Sequence, residues 1–286
     1  MNALFRKAIL AADEVRMQLI FDIYQPVNIF DLCMKLGLTV RFIDINMEGL
    51  YVKNKDGTHP TILLSSQRPL PRRCFTCAHE LGHHIFNHGF KIDALSEQDT
   101  DLGSSDTEEL LVNSFAGALL MPVAGIRSEF AKRDWLFQKA SPLEFYTICS
   151  VFGTGYQTLI LHCRANKIID DSKASSLLKF TPVKMFKGLF PQNVKNSYFK
   201  IVDNYCELSI IDLEVSNYII LPHHLIVEGD HLKEVYKTSI GTGYVTVKSG
   251  IVRVASVDAS ISFFIRIQNA HYVGLAENRH LENSID

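Results

Sequence analysis

Apolar residues recur at helical spacing between positions 2 and 22, at Leu4, Ile9, Val15, Leu19 and Ile20, and predict an N-terminal helix. Gln25-Pro26-Val27-Asn28 breaks the pattern, and Asn28 is placed to cap a second helix through Asp31, Leu32 and Leu36 to Gly37. LTVRFIDI (38–45) and GLYVKN (49–54) alternate like strands, and THPTILLSS (58–66) reads as a third. RRCFTCAHELGHHIFNHG (72–89) returns to helical spacing. The acidic, polar stretch SEQDTDLGSSDTEE (96–109) then reads as a loop or lid, its last residues opening a second apolar helix from about 107 to Pro122.

Residues 141–169 form two short helical patterns joined by Phe152-Gly153-Thr154-Gly155, with Ser141 as N-cap and Pro142 in the first helical position. DDSKASS (170–176) reads as a polar linker. From about 183 the texture becomes strand-like, in YCELSIID, NYIILP, HLIVEGD, GYVTVKSGIVRVAS and ISFFIRIQ, separated by Gly, Asp and Asn turns. The expected organisation is α+β in three parts: 1–140, a helical segment with linker over 141–176, and a small β-rich domain over 177–286.

Composition narrows the class. The 286 residues are 47% hydrophobic and 21% charged, as in a globular chain. The net charge of −2 and pI of about 6.6 give no global basic field to attract nucleic acid. Cys33, Cys74, Cys77, Cys149, Cys163 and Cys206 are scattered through mostly apolar runs and read as buried free thiols rather than a disulfide framework. The first residues are interrupted by Asp13 and Glu14 and do not form a signal peptide, and no run of eighteen apolar residues occurs. A cytoplasmic protein without a membrane span is expected.

The chemistry lies in His79-Glu80-Leu81-Gly82-His83, an HExxH pattern. On a helix, residues i and i+4 lie one above the other, so both imidazoles project from one face and can share an ion, with the Glu80 carboxylate beside it. Phe75, Cys77, Ala78, Leu81, Ile85 and Phe86 make the rest of the helix apolar, so it is expected to be buried, where histidines need partners. A catalytic zinc site uses three protein ligands and an open position. The second helix offers Glu108 and Glu109. Glu109 shares a stripe with Asn113 and Gly117, close to Ala116, small enough for close helix approach, and is preferred; Glu108 shares its stripe with Val112, Phe115 and Leu119, a packing face. Cys74 and Cys77 form a CxxC without a second ligand pair and read as packing. His84 lies off the metal face, and His88 either approaches the site or caps the helix before Gly89. His223, His224 and His231 read as surface or core histidines.

With both halves in place, the chain resembles the ImmA/IrrE family of metallopeptidases over approximately residues 1–170. The likeness rests on Arg73, Phe75-Thr76 and Ala78 ahead of HELGH. It continues with Glu109 four residues before Asn113, followed by Phe115-Ala116 and Leu119-Leu120-Met121-Pro122. The resemblance implies a zincin-like, gluzincin-type core in which His79, His83 and Glu109 hold one zinc ion and Glu80 is the general base; Asn113 and His88 are candidates to support the ligands. It also implies a regulatory endopeptidase that cleaves a helix-turn-helix repressor after stress or phage induction. The helices within 141–166 occupy the place of a helix-turn-helix-like pair in the family. TGYQTLILHCRAN is mostly apolar with one arginine, Arg164, so packing on the core is expected there rather than DNA binding. The β-rich segment occupies the place of the sensory domain in the family's long members. An extended substrate is expected along an edge strand, for which ILLSS (62–66) is the candidate, with the acidic loop 96–109 gating access. The rival class is a regulatory protein that keeps the metal for structure and acts by binding a partner.

Overall fold

The N-terminal apolar spacing gives α1 (Ala3–Gln18), which buries Ala8, Ala12, Val15 and Arg16. α2 (Ile29–Lys35) begins where the Asn28 side chain accepts the Asp31 backbone N–H at 3.2 Å, satisfying one of the amides left open at a helix start. The computed structural model describes residues 3–53, 59–88, 107–191, 195, 197–207 and 210–281. β1 (Thr39–Ile43), β2 (Gly49–Val52) and β3 (Thr61–Ser65) lead into the motif helix α3 (Leu70–Ile85). The expected acidic loop lies, up to residue 106, outside the described residues. α4 (Thr107–Leu120) and α5 (Val123–Lys132) follow, divided at Pro122. Residues Thr107–Lys132 together are long and apolar enough to cross a membrane, but most of that segment is buried inside the fold, as core helices are.

α6 (Pro142–Phe152) starts with a reciprocal cap between Ser141 and Glu144 and stops at Gly153, whose φ of 65° is the left-handed turn that glycine adopts without strain. α7 (Tyr156–Ala165) buries Tyr156, Leu159, Ile160, Leu161, His162 and Cys163, so the pair packs into the bundle as its apolar sequence indicates.

Two further helices replace features read differently from sequence. The polar stretch 170–176, expected to be a linker, lies largely within α8 (Asp171–Leu178). The Asp170 carboxylate caps the Lys173 N–H at 2.7 Å, and Ala174 and Leu177, three residues apart, supply its buried face. α9 (Pro182–Leu189), capped by Thr181, stands where strands were expected to begin. The strands proper are β4 (Phe199–Ile201), β5 (Ile210–Glu214), β6 (Tyr218–Leu221), β7 (Leu225–Val227), β8 (Leu232–Thr238), β9 (Gly241–Thr246), β10 (Gly250–Ser256), β11 (Ser262–Gln268) and β12 (Gly274–Leu275).

The architecture is mixed α+β, a helical bundle with one mixed sheet followed by β-rich layers. The first sheet has the order β12-β1-β3-β2, with β1 and β3 parallel and β2 antiparallel to β3. This corrects one expectation: β3, which contains most of the ILLSS segment, is flanked by β1 and β2 and has no open side. The edge is β2. The remaining strands form two sheets, β5-β11-β10-β7 and β4-β6-β9-β8. β6 joins them to the rest of the molecule. Its alternate residues point to opposite faces, so Tyr218 and Ile220 enter the main core while Ile219 and Leu221 enter a second core with Leu213, Val254 and Ile265. The main core continues from α1 through α3, α4 and α6 to Phe199, which stacks on Tyr146 with ring centroids 4.3 Å apart.

Candidate metal centre

α3 is held on two sides. Its sheet side meets β2 closely at Gly49, where a Cβ would come within 2.6 Å of Thr76 Cγ2. Its other side meets α4 at Gly82, where a Cβ would sit 3.0 Å from Val112 Cβ and 3.2 Å from a Phe115 ring carbon. The missing side chain at Gly82 is what lets α3 and α4 approach closely. The sequence expectation placed that role on the small residues of α4; Gly117 instead faces α7, where a Cβ would meet the His162 ring at 2.6 Å.

This approach brings Glu109 to the two motif histidines. His79 Nε2 lies 3.1 Å from His83 Nε2, and the Glu109 carboxylate lies 3.3 Å from His79 Nε2 and 3.5 Å from His83 Nε2. Both rings are buried, and Glu109 is partly buried. The outer nitrogens are engaged. His79 Nδ1 is 2.9 Å from Asn113 Oδ1, and His83 Nδ1 is 3.1 Å from His88 Nδ1. An amide oxygen can only accept, so His79 carries its proton on Nδ1 and presents the Nε2 lone pair to the cluster. His83 does the same when its Nδ1–H donates to His88. Two imidazole lone pairs and a carboxylate then converge in a buried space, an arrangement that repels itself unless positive charge lies between them. Glu109 Oε1 is buried and makes no hydrogen bond among the described residues. Tetrahedral bonds of about 2.0–2.1 Å to a first-row cation such as zinc separate the ligand atoms by about 3.3 Å, which is the spacing these three groups have. The residues therefore fit a metal ion. Glu80 is buried on the same helix, next to His79.

The other side chains of the motif stretch point elsewhere. Cys77 is buried with its Sγ 3.7 Å from Cys33 Sγ, and burial, reinforced by that neighbour, pushes its thiol well above the usual range. Burial likewise pushes the Cys74 thiol up to about 12, so neither sulfur is a ready thiolate ligand. His84 sits one residue past His83, which turns it towards the sheet, where its Nδ1 is hydrogen-bonded to the Tyr51 hydroxyl at 2.7 Å. Burial, with Lys53 adding to it, lowers the His84 pKa. Tyr51 belongs to the edge strand β2, so this bond ties the edge to the metal helix. Sequence reading missed that link because it joins elements with no shared local pattern. It also missed the partner of Arg73: this fully buried guanidinium pairs with Glu214 on β5 and lies 5.2 Å from the Phe42 ring centroid.

Two histidines one turn apart on a helix, completed by a glutamate from the next helix over a mixed sheet, define a zincin-like metal centre. Residues 33–161 match the peptidase family described as the IrrE N-terminal-like domain, consistent with the resemblance to the ImmA/IrrE family. Among functionally curated proteins none gives a significant match.

Proposed function

We propose that the protein is a zinc-dependent metalloendopeptidase of gluzincin type. His79, His83 and Glu109 hold one zinc ion and Glu80 is the general base. The observation that supports this best is the convergence of the two Nε2 atoms and the Glu109 carboxylate, with each His fixed from behind by Asn113 or His88. When bound, the ion supplies Lewis-acid polarisation of the scissile carbonyl and lowers the pKa of a coordinated water to about 7. Glu80 takes the proton from the attacking water and passes it to the departing amine. Asn113 and His88 hold the two imidazoles in the tautomer that leaves Nε2 as the ligand atom. An extended peptide pairs with the open side of β2, whose backbone carries no side-chain requirement and so binds many sequences.

The substrate class we propose is a helix-turn-helix transcriptional repressor in the cytoplasm, cleaved under stress or phage induction, as the family likeness suggests. The β-rich residues 177–286 would then carry the regulatory input. The test is incubation of purified, zinc-loaded protein with the repressor encoded beside its gene, with fragments read by mass spectrometry. Wild type is expected to cut at a defined bond, and Glu80→Gln to retain one zinc per chain and lose the cut. Cleavage by Glu80→Gln at the wild-type rate overturns the mechanism; an uncut repressor bound tightly by both proteins favours a regulatory binder.

A further inference from the structure

A cavity of about 510 Å³ lies between the helical half and the β-rich half, within the size range of small-molecule sites. Its apolar wall includes Val27, Ile29, Leu70, Val151 and Phe152. Its charged groups are Asp31, Asp212, Glu207, Arg266, Lys35 and Lys200. Four of these are ion-paired among the described residues, and Lys35 is exposed. Asp212 accepts from Arg266 Nε (2.6 Å) and Nη2 (2.9 Å), from Arg279 Nη2 (2.9 Å) and from the Asn28 amide. Asp31 pairs with the same two arginines, each at 3.1 Å. Glu207 pairs with Lys132 at 2.8 Å, and the Lys35 ammonium lies over the Phe21 ring at 4.8 Å.

Lys200 is the exception. It lies in the middle of β4, where its neighbours Phe199 and Ile201 turn into the main core and Lys200 turns the opposite way, to the cavity. It is 7% exposed, and among the described residues no hydrogen bond or ion pair reaches its ammonium. The Nζ atom ends beside Gly153, where a Cβ would be 3.8 Å away. A largely buried cation without a partner is costly, and the carboxylates of the cavity are already paired with Arg266, Arg279 and Lys132. Burial lowers the Lys200 pKa, opposed in part by Asp212.

We propose that this cavity binds a small organic acid, a monocarboxylate on an apolar body, with its carboxylate on Lys200 and its body against Val27, Ile29 and Val151. A single buried ammonium without a carboxylate matches one negative charge, whereas Asp31 and Asp212 in the same cavity repel a second. The proposal is independent of the peptidase reading, since no group at the metal centre takes part.

The experiment uses the full chain, with 8-anilinonaphthalene-1-sulfonate as a fluorescent apolar monoanion and octanoate as the competing carboxylate. The dye is expected to bind one to one and to be displaced by octanoate but not by neutral octanamide. Lys200→Met is expected to weaken both anions at least tenfold. Octanoate is also expected to protect Lys200 from acetic anhydride, read by peptide mass spectrometry on the unsubstituted chain, which decides the matter if Lys200→Met does not fold. Equal acetylation of Lys200 with and without octanoate, or octanoate binding that Lys200→Met leaves unchanged, overturns the proposal.

Discussion

Asn113 provides the sharpest test of how the metal centre is built, because it touches one ligand and no substrate. Its Oδ1 lies 2.9 Å from His79 Nδ1 in a buried space, and Asn113→Ala removes the acceptor while leaving the imidazole in place. A buried N–H deprived of its partner costs about 1–3 kcal/mol. Loss of an outer hydrogen bond to a ligating histidine costs roughly 10–100-fold in metal affinity, or about 1.4–2.7 kcal/mol. The two estimates agree, so Asn113→Ala is expected to weaken zinc binding about 10–100-fold. Asn113→Asp offers a carboxylate at the same place and is expected to hold affinity near or above wild type. The assay is competition with a chromophoric chelator at fixed pH, with near-ultraviolet circular dichroism and thermal melts of the metal-free proteins to show that both variants are folded. Zinc binding by folded Asn113→Ala as tight as wild type would refute the role of Asn113 as the group that sets the His79 tautomer.

Two further outcomes bear on stability. Arg73→Met leaves Glu214 buried without its guanidinium and is expected to cost about 3–5 kcal/mol in urea unfolding, with Arg73→Met/Glu214→Met recovering most of it; a double variant no better than the single one would contradict the pairing. His162 donates from Nε2 to the Met121 carbonyl at 2.9 Å, and burial lowers its pKa to about 4. Its folded pKa is below the unfolded value of about 6.5, so the unfolded chain binds more protons between them and stability is lost as pH falls from 6.5 towards 4. His162→Gln is expected to flatten that window by up to about 3 kcal/mol, and a stability difference between the two proteins that does not change with pH would rule this out.

The parts of the site that were legible in the sequence are those set by helix geometry. His79 and His83 could be placed on one face because i and i+4 always share one, and Asn28, Ser141 and Gly153 could be placed at helix ends because capping is local. Of the two adjacent glutamates it is Glu109 that lies beside both histidines, and the sequence reason for preferring it is incomplete. The stripe it shares with Asn113 does face His79, but the close approach is made by Gly82 against Val112 and Phe115, on the face read as packing for Glu108. Strand order was not legible. Alternation identifies β1, β2 and β3 but carries no information about which is outermost, and the segment expected at an edge is the interior strand β3. β8 went unread because its LKEVYKT sequence is largely exposed, with little apolar alternation, and β12 because two residues pairing with a strand more than two hundred positions earlier leave no local pattern.

α3 explains why the β-rich residues are more than an appendage to the metal centre. One face of the helix carries His79 and His83 towards α4, another rests on β2 and β3, and the N-terminal turns face the C-terminal half. There Arg73 pairs with Glu214, while Leu70 and Cys74 help to line the cavity that Lys200 enters. The last described strand, β12, also returns to pair with β1 and closes one edge of the sheet under α3, leaving β2 at the other. The cavity that Lys200 lines and the imidazole of His79 thus share one helix, with Cys74 and His79 about 7.5 Å apart along its axis at 1.5 Å per residue. Because Gly82 meets Val112 and Phe115 without slack, α3 and α4 pack as one unit that carries both histidines and Glu109, and the pairing of Arg73 with Glu214 ties that unit to β5.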